Sequence, residues 1–95
     1  MKTFHVYMMA SRKNGPIYIG LTSDLVNRVY EHKTEVYEGF TKKYNIKRLV
    51  YIEEYDYFDE AVRREKQLKK WNRAWKIELI ERDNPNWYDL YYELY

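Results

Sequence analysis

The chain contains no cysteine, which excludes a disulfide framework and any thiolate metal cluster. It has no apolar run near the roughly 18 to 20 residues that a membrane span requires. Its N-terminus, MKTFHVYMMAS, leads straight into basic Arg12 and Lys13, so no secretory signal is expected either. Internal repeats, low-complexity tracts and linker-like segments are also missing. One domain spanning residues 1–95 is expected, with a modest core and room for a single site. These absences leave the expectation of a soluble, cytoplasmic protein with no membrane association and no obligate protein partner.

Net charge is scarce as well. Seventeen Lys and Arg against fifteen Asp and Glu leave +2, too little to argue for nucleic acid by itself. Its distribution is uneven. Residues 1–23 carry Lys2, Arg12 and Lys13 and no acid, and residues 60–76 carry seven basic residues against Glu60 and Glu65. From Ile77 onward the sign reverses, with five acids against Arg82. A solvated helix face and an acidic tail would account for this, and so would a nucleic-acid surface. What the chain has in abundance is tyrosine, twelve of them, with three tryptophans, which supply core mass and also surfaces on which bases can stack.

Two short runs, about Thr3–Met9 and Pro16–Leu21, alternate as strands do, so that Phe4, Val6 and Met8 share a face and Ile17, Ile19 and Leu21 share a face of the partner. Asn14-Gly15 between them signals a hairpin. Pairing residues whose numbers sum to 25 would set Tyr7 opposite Tyr18. Thr22, Ser23 or Asp24 can cap a helix with a stripe of Leu25, Val26, Val29, Tyr30 and Val36. Arg28 and His32, four apart, leave that helix on one side.

After a polar connection, Lys47–Tyr55 reads as a third strand, expected in the middle of the sheet. Asp59 is a plausible cap for a helix from Glu60 to about Trp71, Asn72 marks a break, and Ala74–Arg82 forms a further helix that Asn84-Pro85 stops. Residues 84–95 form an aromatic tail expected to pack back on the domain.

Glu65 falls between Ala61 and Val62 on one turn and Leu68 on the next, so its carboxylate points toward the protein. A buried carboxylate must be paired, hydrated or metal-bound. Pairing with Lys69 one turn on is the plain reading, and a magnesium site completed by waters and phosphate oxygens is the functional one. Arg28 has Glu31 or Asp24 as ordinary partners. His32 alone reads as a packed histidine, and Tyr7 and Tyr18 alone read as sheet aromatics. Their importance depends on all five converging, which requires the helix after strand two to lie over the tyrosine face.

His5-Val6-Tyr7, then Tyr18-Ile19-Gly20, Arg28, His32, and Glu65 within EAVRREKQLKKW together resemble the GIY-YIG nuclease domain, and most closely its small stand-alone bacterial members, whose ending is similar to Lys69–Trp87. The resemblance covers nearly the whole chain and implies an α+β fold, a three-stranded antiparallel sheet flanked by helices in the order β-β-α-β-α-α. It also implies hydrolysis of a DNA phosphodiester, in repair or recombination, with one Mg²⁺ or Mn²⁺ ion held by Glu65 and charge on the phosphate stabilised by Arg28. Tyr7 and Tyr18 would line the pocket, with Tyr7 favoured as the phenol that takes a proton from water, and His32 would assist. Arg63, Arg64, Lys66, Lys69, Lys70 and Arg73 would follow the DNA backbone, in branched or single-stranded forms among others, though they wrap around their helix and cannot all touch one duplex.

The sequence departs from the family pattern at His5, where the name motif has glycine, and at Leu21, where some repair members have lysine. Asn84 is a candidate for a downstream asparagine seen in some members, but its spacing does not assign it. As a single expected domain, the chain is also expected to lack the separate DNA-binding domains of larger family nucleases. The alternatives are a nucleic-acid-binding module that keeps the fold without cleaving and, third, a structural or partner-binding domain.

Overall fold

A computed structural model describes residues 2–36 and 38–94. Alternating apolar residues form a three-stranded antiparallel sheet from β1 (Phe4–Ala10), β2 (Ile17–Thr22) and β3 (Arg48–Tyr55), in the spatial order β2-β1-β3. The expected central position of the third strand is therefore corrected. β1 holds the middle, with Val6 through Ala10 fully buried, and β3 forms an edge. The reason lies in the layers. Only β1 carries large apolar residues on both faces for most of its length, whereas β3 carries Glu53 and Glu54 near its end.

The hairpin register is also corrected, by two residues. Tyr7 stands opposite Gly20, Met8 opposite Ile19 and Met9 opposite Tyr18, and Ala10–Ile17 closes the ladder. A slip of two leaves every side chain on its expected face, because the strand period is two. The connection is a turn in which Gly15 N–H donates to Arg12 O at 2.9 Å and Asn14 takes the left-handed conformation at φ 63°. Between β1 and β3 the register shifts at Met8/Met9, a bulge that turns the consecutive residues Val50 and Tyr51 toward the same cluster.

Two cores flank the sheet. Val6, Met8 and Ile19 pack with Val50 and with Ala61, Leu68, Leu79 and Ile80 of α3 (Phe58–Lys70) and α4 (Arg73–Asp83). On the other face, Tyr7 and Met9 pack with Leu49, Ile46 and the Leu25 and Val29 side chains of α1 (Leu25–Lys33). Asp24 caps α1 by accepting from Asn27 N–H, and the buried stripe is Leu25, Val29 and His32. Val26 and Tyr30 lie on its exposed flank, and Val36 falls beyond the helix and is exposed. His32 thus takes a core position in the stripe, the one polar residue in it.

The polar connection before β3 contains one unanticipated turn, α2 (Phe40–Lys43). α3 begins two residues earlier than expected, with Tyr57 at the cap and Asp59 and Glu60 in its first turn, where their charges complement the helix dipole. The break at Asn72 is itself a cap, its side chain accepting from Trp75 N–H at 2.9 Å. In the tail, Trp87 enters the α3–α4 core and Tyr91, on a single 3-10 turn (Leu90–Glu93), enters the α1 core. Asp89 accepts from Leu49 N–H and pairs with Lys33, joining tail, β3 and α1. Tyr95, the last residue of the expected tail, lies outside the described residues. Among the described residues, no helix is long and apolar enough to cross a membrane.

Candidate active site

The site begins with a backbone constraint. Because Tyr7 pairs with Gly20, its ring lies across the glycine, and a Cβ built there would sit 2.5 Å from Tyr7 Cζ and Oη. Only glycine lets the phenol lie down at this point. The ring then reaches His32 on α1, with Tyr7 Oη and His32 Nε2 3.2 Å apart. The other ring nitrogen, Nδ1, is 3.2 Å from Thr41 Oγ1 on α2, itself buried. Tyr18 completes the group, with its ring centroid 6.2 Å from that of Tyr7 and 5.1 Å from that of His32.

Burial lowers the His32 pKa below its ordinary 6.5, and the positive charge of Arg28 lowers it further, against a smaller opposing effect of Glu31. His32 is therefore neutral at pH 7. In the neutral ring one nitrogen donates and one accepts. A Tyr7 hydroxyl donating to Nε2 leaves Nδ1–H to donate to Thr41 Oγ1, so one tautomer satisfies both contacts.

Tyr18, Arg28 and His32, with Glu38, Phe40 and Thr41, line a cavity of about 220 Å³. Arg28 stands at its mouth, 38% exposed in its side chain, with Glu31 at 3.8 Å. Tyr7 does not reach this cavity. It is fully buried behind His32, because β1 is the central strand and α1 covers it. Of the two phenols, Tyr18 lines the cavity, whereas Tyr7, the one favoured from the sequence, does not.

Glu65 stands elsewhere. It belongs to α3, whose buried residues Ala61 and Leu68 face the opposite side of the sheet from Tyr7. Its side chain is 19% exposed, its carboxylate lies 3.5 Å from Lys69 Nζ, and it does not line the Tyr18–Arg28–His32 cavity. α3 packs on β1 and on the edge strand β2. Among the described residues no three His, Cys, Asp or Glu side chains cluster as a metal site.

Of the basic residues proposed to follow DNA, two are engaged within the protein. Arg64 forks onto Glu53 at 2.9 Å, stacks over Trp71 at 5.1 Å from the ring centroid, and is mostly covered. Arg73 donates to the carbonyls of Asn14 and Gly15 at 2.6 and 2.7 Å, holding the hairpin turn to α4. Both side chains thus tie separate elements of the fold together. Arg63, Lys66, Lys69 and Lys70 are exposed. Asn84 is buried, donating to Val50 O and Tyr88 O and accepting from Tyr88 N–H, so it fixes the tail onto β3.

Thr41 is the residue that sequence reasoning missed. A lone threonine in a four-residue helix has no periodic signal, and its contact with His32 spans nine residues of chain.

Comparison with known proteins agrees with this architecture. The family described as the GIY-YIG catalytic domain matches residues 3–78. A UPF0213 protein from Staphylococcus saprophyticus is 32% identical over 76 residues, covering 80% of this chain and 93% of the relative. Another from Syntrophus aciditrophicus is 33% identical over 86 residues, covering 90% and 97%. The solution NMR structure of a UPF0213 protein from Bacillus halodurans superposes with a TM-score of 0.55 at 27% identity, over 86% of each chain. With the tyrosine–histidine site formed on the expected sheet and the family match running through β1, β2, α1 and α3, the chain belongs to the GIY-YIG family of nuclease domains.

Proposed function

We propose that this protein is a divalent-metal-dependent endonuclease that hydrolyses DNA phosphodiester bonds. The observation that carries the reading is the convergence of Tyr18, Arg28 and His32 on one cavity, with Tyr7 and Thr41 fixing His32 from behind. Arg28 presents a guanidinium to the phosphate and stabilises the negative charge that develops during displacement. Tyr18 is the phenol in reach of the attacking water. A phenol is a poor base at neutral pH, so its role depends on nearby positive charge.

Glu65 is the residue that would hold the ion. Its hard carboxylate oxygens suit Mg²⁺ or Mn²⁺, and its partner Lys69 is 53% exposed, so their pairing is readily exchanged. A single protein carboxylate leaves the remaining coordination to water and phosphate oxygens, as magnesium favours. Such an ion, when bound, supplies charge neutralisation at the phosphate and leaving oxygen. The substrate strand would pass along the β2 edge, between Arg28 on one side of the sheet and Glu65 on the other.

Incubation of the protein with supercoiled plasmid and branched oligonucleotides in Mg²⁺ or Mn²⁺ tests this, beside Arg28→Ala and Glu65→Gln. Nicking by the parent protein that both substitutions abolish is expected. Nicking that survives both sinks the site assignment.

A second reading, a nucleic-acid-binding module without cleavage, is favoured by one observation, the absence of Glu65 from the walls of the Tyr18–Arg28–His32 cavity. It predicts salt-sensitive DNA binding with no cleavage under either metal.

A further inference from the structure

The short helix α2 serves two surfaces. Thr41 turns inward to His32, while Phe40, Lys42, Lys43 and, just after the helix, Tyr44 face outward. Phe40 and Tyr44 are one helical turn apart, with ring centroids at 4.9 Å and planes inclined by 53°. They are 46% and 42% exposed. Around them lies a concavity of about 680 Å³ bounded by Glu38, Gly39, Phe40, Lys42, Lys43 and Tyr44. Glu38 and Phe40 are walls of both this concavity and the Tyr18–Arg28–His32 cavity, so the two adjoin.

Two large rings held in solvent beside a site, and rimmed by polar groups, are a feature of ligand surfaces. The rim has the sign an anion needs, with two lysines against the single carboxylate of Glu38. Lys43 Nζ lies 5.4 Å from the Tyr44 ring centroid. Lys42 is paired with Glu38 at 3.0 Å, but Glu38 is 85% exposed, and an exposed pair of this kind exchanges partners at little cost. The chamber is therefore aromatic on its floor, cationic on its rim, and next to the arginine proposed to bind phosphate.

Nucleobases stack on aromatic side chains irrespective of sequence, and lysines receive the phosphates between them. In a duplex the base faces are already stacked on one another, so only an unpaired or extruded nucleotide presents one to a side-chain ring. We infer that Phe40 and Tyr44 form a stacking subsite for an unpaired nucleobase next to the phosphate bound in the adjoining cavity, with Lys42 and Lys43 receiving its backbone. The subsite rests on the nuclease reading only in taking that cavity as the phosphate site. It selects single-stranded or branched DNA over continuous duplex.

The test uses the whole protein in EDTA, so that no cleavage intervenes. Fluorescence anisotropy measures binding of a labelled single strand, a flap with one unpaired arm, and a continuous duplex of equal length. The parent is compared with Phe40→Leu/Tyr44→Leu, which keeps apolar bulk but removes both rings, and with Phe40→Trp, which restores a stacking surface. The leucine pair is expected to weaken single-strand and flap binding by roughly fivefold or more, to change duplex binding by less than about twofold, and Phe40→Trp is expected to retain affinity.

An equal loss on all three DNAs, or no loss on any, overturns the subsite. Quenching of a 2-aminopurine placed in the unpaired arm supplies a second readout, expected with the parent and lost with the leucine pair, and its persistence in that variant also overturns it. Ring-dependent binding by a protein that cleaves nothing in Mg²⁺ or Mn²⁺ supports the subsite and removes the nuclease reading. Arg28-dependent cleavage that shows no preference for unpaired DNA does the reverse.

Discussion

Tyr7 and His32 meet inside the protein, 3.2 Å apart across 25 residues of chain, and the contact makes the histidine part of the core rather than a surface base. Thr41 holds its other nitrogen at the same distance. Thr41→Val removes the hydroxyl that meets His32 Nδ1 and is expected to cost about 1–3 kcal/mol of stability. Thr41→Ser, which keeps the hydroxyl, is expected to restore most of it. Tyr7→Phe should lower cleavage by roughly a hundredfold if its contact with His32 positions the imidazole to assist proton transfer. Thermal melts beside single-turnover cleavage separate the two effects, and a Tyr7→Phe protein with full activity removes that contact from the mechanism.

The same group predicts a pH response. Because the folded-state pKa of His32 lies below 6.5, the unfolded chain takes up the proton first as pH falls. The stability associated with neutral His32 is complete above about pH 6.5 and declines as pH drops through the lower folded value. An NMR titration of the imidazole protons is expected to give a midpoint below 6.5. Arg28→Gln should raise that midpoint and Glu31→Gln should lower it, since the two charges act in opposite directions. Shifts of the opposite sign would contradict the electrostatic arrangement.

Gly20→Ala places a methyl group on the Tyr7 ring, 2.5 Å from two of its atoms. The ring is fully buried, so the phenol must shift, and its contact with His32 is disturbed. A loss of about 1–3 kcal/mol is expected, together with an altered His32 titration. An alanine variant with parental melting and parental His32 chemical shifts would mean that the ring yields without consequence.

Two classes of arginine and lysine should separate cleanly on α3. Glu53 is held by Arg64, Tyr51 and Tyr55. Burial alone would raise its pKa, but these hydrogen bonds outweigh it and hold the carboxyl below its ordinary 4.5. Burial and the bond to Glu53 push Tyr55 up to about 12, so it remains a donor. Arg64→Ala is expected to destabilise by about 1–3 kcal/mol. The contribution of this cluster is present above about pH 4.5 and is lost as acid titrates Glu53. Arg63→Ala and Lys66→Ala should change stability by less than about 0.5 kcal/mol while weakening DNA binding. If each contacts a phosphate of duplex DNA, the salt slope should fall by about 0.9 per residue. Denaturation curves at pH 7 and pH 4, with binding isotherms at several salt concentrations, check both halves.

The sequence by itself determined the faces and the order of elements. Alternation in Phe4–Met8 and Ile17–Leu21 assigned each side chain to a side, and that assignment survives a two-residue slip because the strand repeat is two. It also supplied the tyrosines, Arg28, His32 and Glu65 as a family pattern. Tertiary structure decided which of them meet. The strand order put β1 in the centre and so buried Tyr7, leaving Tyr18 to face the cavity. α1 and α3 packed on opposite faces of the sheet, and Glu65 is absent from the walls of the cavity that His32 lines. Arg64 and Arg73 found Glu53 and the hairpin carbonyls, partners tens of residues away or on another element. Thr41 became a neighbour of His32 through a four-residue helix too short to leave a periodic trace. Local pattern encodes the side on which a residue falls, because backbone geometry repeats, whereas the contact it makes depends on how distant elements pack.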